Sequence, residues 1–192
     1  MKVGLFFGSF NPIHVGHMII ASYMTEFTDL DEVWFVVTPH SPFKKKKSLL
    51  SDNHRFQTVL VATEDYSKLK PSRIEFELPQ PNYTIDSLTH LYENYPKHNF
   101  SLIMGEDNLH SFHKWKNYEM ILENHRIYVY PRNSETKKKS KFHDHAQVKF
   151  VQAPIVEISS TFIRNAIHNK KDIRSFLPNS VWKYIDEMNF YK

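Results

Sequence analysis

The sequence predicts an α/β fold in three layers: a doubly wound, mainly parallel sheet with helices on both faces. Three observations predict it. Short apolar runs rich in Val, Phe and Ile alternate along the chain with segments whose apolar residues recur at helical spacing. Repeated strand–helix order of that kind builds a parallel sheet covered on both sides. At 192 residues, with 41% hydrophobic and 24% charged side chains, the chain suits one domain with a sizeable core and not a disordered segment.

Residues 2–7 form the first strand, and 16–27 a helix with Ile19, Ile20, Tyr23 and Phe27 along one side. The second strand is 32–37, and Pro39 and Pro42 end it in a loop that runs through Lys44–Lys47. Ser51 or Asp52 caps a helix over about 53–64, where Phe56, Val59, Leu60 and Thr63 follow helical spacing. Arg73–Leu78 alternates as a strand, stopped by Pro79 and Pro81, and a helix over 84–94 carries Ile85, Leu88, Leu91 and Tyr92 on one face. A strand over 100–104 ends at Gly105, helical pieces at 106–112 and 117–123 follow, and the last strands are 126–130 and 148–152. Ser159 or Ser160 caps a helix to about Ile167, and Pro178 stands near the start of a final helix ending by Met188. The expected organisation is one domain over 1–192 with a C-terminal helical part at about 159–190. Residues 133–147 read as a mobile polar insertion, and no internal repeat is present.

The chain has no cysteine, which removes disulfides, thiolate catalysis and thiolate metal sites and fits a cytoplasmic protein. No apolar stretch reaches the roughly 18 residues a membrane span needs. The apolar start Val3–Phe7 is short, is followed by Gly8 and Pro12, and lacks a small-residue cleavage site, so it reads as a buried strand, not a leader. The net charge of +4 gathers much of its excess in Lys44–Lys47 and Lys137–Lys141. Such runs suit nucleic acid or a solvated loop equally.

The most informative segment is Phe7–His17, which carries Gly8, His14, Gly16 and His17 between the first strand and the first helix. A strand, a small-residue turn with two histidines and a helix N-terminus make a phosphate cradle: backbone N–H groups point outward and imidazoles add donors. In parallel sheets ligands sit beyond the carboxyl ends of the strands, near a reversal of strand order. The other candidates fall at such ends: Pro39–Lys44, Gly105 with Asp107, and the residues after Tyr130.

Taken together, His14-Val15-Gly16-His17 and Ile158-Ser159-Ser160-Thr161-Phe162-Ile163-Arg164 resemble the (H/T)xGH and ISST-type segments of the bacterial nicotinate-nucleotide adenylyltransferase family. Between them, in order, lie Pro39-His40-Ser41-Pro42-Phe43-Lys44, Asn82–Leu88, Gly105-Glu106-Asp107, Phe112–Trp115 and Tyr130-Pro131-Arg132. The resemblance covers essentially the whole chain and implies a Rossmann-like fold. It also implies transfer of AMP from ATP to nicotinate mononucleotide, giving nicotinate adenine dinucleotide and pyrophosphate, with Mg²⁺ and no covalent intermediate. Two residues depart from the family pattern: Phe7 stands where a paired glycine is common, and Asn11 replaces the commoner Asp.

The roles below are what the resemblance implies, weighed against what the residue types can do. The acceptor phosphate is already an ionised nucleophile, so the reaction asks for positioning and charge stabilisation more than for a base. His14, His17, Lys44 and Arg164 are assigned to the phosphates as catalytic groups; a structural pair capping the helix is the bland reading of the histidines. ATP is assigned to Gly8, Ser9, Phe10, Gly16, Gly105, Asp107, Ser159, Ser160 and Thr161. An ordinary capping sequence explains the serines equally well, and Asp107 suits either a ribose hydroxyl, the ordering of the site around the metal, or a buried N-cap. The acceptor is assigned to Asn11, Tyr83, Thr84, Trp115 and Arg132, with Trp115 stacking on the pyridine ring or anchoring two helices. No protein metal site is expected: Mg²⁺ prefers oxygen ligands and is held mainly by substrate phosphates.

Rival functions are transfer to nicotinamide mononucleotide or phosphopantetheine, nucleic-acid binding through the lysine runs, and a non-catalytic nucleotide sensor. Neither lysine run has interleaved aromatics or a binding module around it, which disfavours nucleic acid. The expected partners are small-molecule nucleotides, with no nucleic acid and no membrane, for a monomer or a homo-oligomer.

Overall fold

The computed structural model describes residues 1–39, 49–132 and 139–192. Six strands form one sheet in the order β3-β2-β1-β4-β5-β6, and each pairing is parallel. They are β1 (Lys2–Gly8), β2 (Glu32–Val37), β3 (Leu69–Ser72), β4 (Asn99–Gly105), β5 (Ile127–Tyr130) and β6 (Val148–Phe150). The middle strands are nearly continuous apolar runs because both of their faces are covered. Phe7 sits in regular β1 pairing opposite Val36, so this departure from the family pattern is absorbed by the strand.

Seven α-helices connect and cover the strands among the described residues: α1 (Val15–Phe27), α2 (Asp52–Thr63), α3 (Thr84–Asn94), α4 (Glu106–Ser111), α5 (Tyr118–Asn124), α6 (Ser160–His168) and α7 (Asn179–Glu187). One core gathers Ile20, Val59, Ile163 and Val181 from α1, α2, α6 and α7; the other gathers Leu88, Leu109 and Leu122 from α3, α4 and α5. The sheet is therefore covered on both faces, as the strand–helix alternation predicts. Strand order reverses between β1 and β4, which opens a crevice beyond Gly8 and Gly105.

Several expectations are corrected. Arg73–Leu78 is not a strand; Ile74–Glu77 is a 3₁₀ turn and the third strand is the preceding Leu69–Ser72. Pro71 hides that strand from a sequence reading, and it is tolerated because β3 lies at the sheet edge and pairs only with β2. Two helices are rotated relative to their apolar pattern. In α1, Ile19 and Phe27 are exposed while Ala21 and Met24 are buried. In α2, Leu60 faces solvent and Arg55 faces the core. In the described part of the 133–147 segment, residues 139–147, Ser140 and Phe142 are buried, and the Phe142 ring packs on Phe112 and Tyr118, so this part is not a mobile polar insertion. Lys139 and Lys141, from the second lysine run, are exposed. No helix among the described residues is long and apolar enough to cross a membrane.

Candidate active site

The turn between β1 and α1 is built around Phe10, which takes a left-handed backbone (φ 42°). That conformation costs a non-glycine residue roughly 1 kcal/mol or more, and burial of the ring between Phe6, Phe35 and His17 offsets it. The Phe10 side chain is therefore a core residue lying under the site, so any contact it makes with ATP is left to its backbone. Gly8 packs its α-carbon against that ring. Gly16 is closely overlaid: a Cβ there would meet the His14 ring at 3.1 Å and Val156 at 3.0 Å, so either neighbour would have to give by a few tenths of an ångström.

His14 caps α1 and stacks on His17 with ring centroids 3.7 Å apart. The backbone N–H of His14 donates to Nδ1 of His17 at 3.2 Å. An amide can only donate, so Nδ1 of His17 accepts and the ring proton resides on Nε2. Burial, helped by the Arg132 charge, lowers the pKa of His14 to about 4, so it is neutral at physiological pH. Its Nδ1 is buried over the first turn of α1, where the His14 side chain and the His17 backbone N–H form the reciprocal half of a capping box without meeting the geometry of a full hydrogen bond. His14, Gly16, His17, Tyr130 and Arg132 line one cleft with Val156 and Ile158.

Arg132, assigned to the acceptor from sequence, thus shares the cleft of the two histidines. Its Nε lies 4.0 Å from the Asp107 carboxylate. Both side chains cross the face of Gly105, where a Cβ would collide with Asp107 and come within 3.2 Å of Arg132. The α6 N-terminus closes the other side. Ser159 accepts the Phe162 N–H as N-cap, and Ser160 donates its hydroxyl to the Pro12 carbonyl at 2.9 Å. Arg164 donates to the Asn11 carbonyl at 2.8 Å and to the Thr161 hydroxyl at 3.2 Å. The late motif is thereby brought onto the first one across some 150 residues of chain.

Asn11 is placed differently from the acceptor-contacting role assigned to it. Its side chain is 1% exposed, and its Oδ1 accepts from the Leu50 N–H at 3.2 Å and the Tyr191 hydroxyl at 2.7 Å. The residue ties the turn to the chain before α2 and to the C-terminus. Tyr83 and Thr84 open α3, and Tyr83 makes no side-chain cap bond. Lys116 lies 4.8 Å over the Tyr83 ring and pairs with Asp86 at 3.0 Å. Its neighbour Trp115 is half-buried against Phe112. Lys44, with the rest of the Pro39–Lys44 segment after Pro39, lies outside the described residues.

Sequence reasoning missed Arg55. It is fully buried, and it donates to the carbonyls of Ser9 (2.6 Å), Thr38 (2.9 Å) and Leu50 (3.1 Å) and to Asp52 (2.6 Å). One guanidinium fastens the turn between β1 and α1, the end of β2 and the start of α2. The available signal was its spacing, since positions 55, 59 and 62 share a helix face with Val59 and Ala62.

The cytidylyltransferase-like family model matches residues 5–166. A probable nicotinate-nucleotide adenylyltransferase of Flavobacterium johnsoniae is 62% identical over 192 residues, covering all of both chains. Its counterpart in Bacteroides thetaiotaomicron is 44% identical over 97% of this chain and 92% of its own. The fold superposes on a Plasmodium falciparum nicotinic acid mononucleotide adenylyltransferase complexed with NaAD (TM-score 0.82, 20% identity, 99% of this chain and 97% of that one). With Ser160 and Arg164 of α6 bonded to the histidine turn and identity of this order along the full length, the chain belongs to the nicotinate-nucleotide adenylyltransferase family of cytidylyltransferase-like nucleotidyltransferases.

Proposed function

We propose that the chain joins AMP from ATP to nicotinate mononucleotide, releasing pyrophosphate and forming nicotinate adenine dinucleotide. The observation that carries this reading is the stacked His14–His17 pair at the α1 N-terminus, facing a cleft shared with Arg132. An oxygen of the acceptor phosphate attacks the α-phosphorus. The bond from that phosphorus to the bridging oxygen breaks opposite it, and the electron pair leaves with pyrophosphate. Negative charge grows on the leaving oxygens, where neutral His14, the Nε2–H of His17 and the guanidinium of Arg164 supply donors already fixed in place. Ser160 and Arg164 hold the α6 N-terminus against the same turn, with Ser159 capping the helix and Thr161 steadying Arg164, and Asp107 with Arg132 borders it at Gly105. Mg²⁺ neutralises phosphate charge when bound. Imidazole and guanidinium donors suit phosphate oxygens and not a hard cation, so ATP's own oxygens would carry the ion.

The acceptor side is formed by Tyr83, Thr84 and Trp115. Trp115→Ala is expected to weaken nicotinate mononucleotide by about 1–3 kcal/mol, the worth of a stacked ring, with ATP affinity unchanged. Separate titrations of the two substrates check this; equal losses with a lower melting temperature would make Trp115 a packing residue instead.

Nicotinate mononucleotide is expected to be preferred over its amide by about 10-fold or more in kcat/KM. The two share ribose and phosphate, so only the carboxylate end discriminates. Amides at the α3 N-terminus suit a group that only accepts hydrogen bonds, and they leave a carboxamide NH₂ facing donors. Product formation from ATP and each mononucleotide, followed chromatographically, tests both claims. Values within a factor of two would mean dual specificity, and no dinucleotide from either would overturn the proposed reaction.

A further inference from the structure

Glu75 is a buried carboxyl that the reaction above does not use. It lies in the 3₁₀ turn after β3, is 2% exposed, and its Oε2 has no hydrogen-bond partner among the described residues. Its two ends grip both flanks of the Tyr83–Thr84 segment. The Glu75 carbonyl accepts the side-chain N–H of buried Asn82 at 3.0 Å, and Oε1 is 2.6 Å from the buried Ser87 hydroxyl. Ser87 in turn lies 3.3 Å from the Tyr83 carbonyl, which also accepts the N–H groups of Asp86 (3.0 Å) and Ser87 (3.2 Å) to start α3.

We infer that Glu75 is a positioning residue for the acceptor: through Asn82 and Ser87 it fixes the Tyr83–Thr84 backbone where the pyridine end of the mononucleotide binds. This inference rests on the assignment of that segment to the acceptor. Geometry explains why one residue can do this. Asn82 immediately precedes the segment and Ser87 lies one helical turn beyond it, so holding both removes the freedom of the chain between them. Ser87 has a single hydroxyl proton. It donates to Glu75 Oε1 and lies against the Tyr83 carbonyl, so one side chain joins the Glu75 carboxyl to the start of α3. Burial pushes that carboxyl up from the usual range, against the opposing pull of the Ser87 and Thr38 hydroxyls. Thr38, whose hydroxyl contributes to that pull, directly follows β2.

The test is steady-state kinetics on the full chain with Glu75→Ala, Glu75→Gln and Ser87→Ala. Glu75→Ala is expected to raise KM for nicotinate mononucleotide about 10-fold or more while KM for ATP stays within about two-fold, since a misplaced binding segment loses acceptor binding selectively. Glu75→Gln keeps both the shape and an Oε1 acceptor for the Ser87 hydroxyl, and is expected to restore the acceptor KM to within about three-fold of wild type. Ser87→Ala cuts the same link with Glu75 intact, and is expected to shift the acceptor KM in the same direction even where Glu75→Ala fails to fold. Parallel changes in both KM values, no rescue by Gln, or an unchanged acceptor KM in Ser87→Ala would overturn the inference. Wild-type turnover separates the two claims: its absence with nicotinate mononucleotide overturns the proposed reaction, whereas normal wild-type turnover with any of those mutant patterns overturns only the role of Glu75.

Discussion

Replacing His17 by alanine is expected to lower the rate of AMP transfer by at least ~10²-fold with the fold retained, the loss seen when one preorganised donor to developing charge is removed. The ring is fixed three ways: by the His14 amide on Nδ1, by stacking on His14, and by the Phe10 ring 5.1 Å away. That arrangement leaves Nε2 as the proton-bearing nitrogen and spends no energy on reorienting it during the reaction. His17→Asn and His17→Gln are informative companions, because each keeps a donor but loses the stack. Steady-state rates with circular dichroism and a thermal melt check the claim. Near-normal turnover by a folded His17→Ala protein would remove His17 from the chemistry and leave it as a partner in the helix cap.

The fold was legible wherever local pattern and tertiary environment agree. β1, β2, β4 and β5 are apolar runs buried on both faces, and α3 carries its core residues Ile85, Leu88 and Leu91 at helical spacing. It was not legible where an edge relaxes the rules, as at Pro71 in β3, or where a helix face is completed by a charged group, as at Arg55 in α2. Site residues that face the crevice could be named from motif order. What each side chain does there could not. Phe10 and Asn11 stand in the same turn as His14, yet one ring lies in the core and one amide binds Leu50 and Tyr191. The Phe10 ring is set by Phe35 on the neighbouring strand and the Asn11 amide by Leu50 and Tyr191, 39 and 180 positions on, contacts that local spacing does not encode. The Glu75 contacts with Asn82 and Ser87 are similarly hidden, because its segment alternates like a strand and folds as a turn.

Arg55→Met is expected to cost about 3–5 kcal/mol of stability, the range for breaking a buried charged network by removing one partner. For a chain of this length that corresponds to a fall in melting temperature of roughly 6–20 °C. The ion pair with Asp52 is the smaller part of this, since Asp52 is 38% exposed and its carboxylate can return to water. The larger part is four carbonyls, of Ser9, Thr38, Leu50 and, more weakly, Pro39, left in place without the donor that now serves them. Methionine matches the length of the stem but supplies no N–H, so the packing volume is kept while the hydrogen bonds are lost. Arg55→Lys separates charge from geometry. It retains the positive charge, but one ammonium cannot reproduce a planar fork spanning Ser9, Thr38, Leu50 and Asp52, so much of the loss should remain. Because Ser9 belongs to the turn that carries His14 and His17, the surviving folded Lys variant is also expected to lose kcat well below its melting transition. Urea denaturation and rates measured at a temperature where both proteins are folded check the two effects. A stability change under about 1 kcal/mol for Arg55→Met would show that water or a neighbouring donor replaces the guanidinium, and unaltered kcat in Arg55→Lys would free the phosphate turn from any dependence on it.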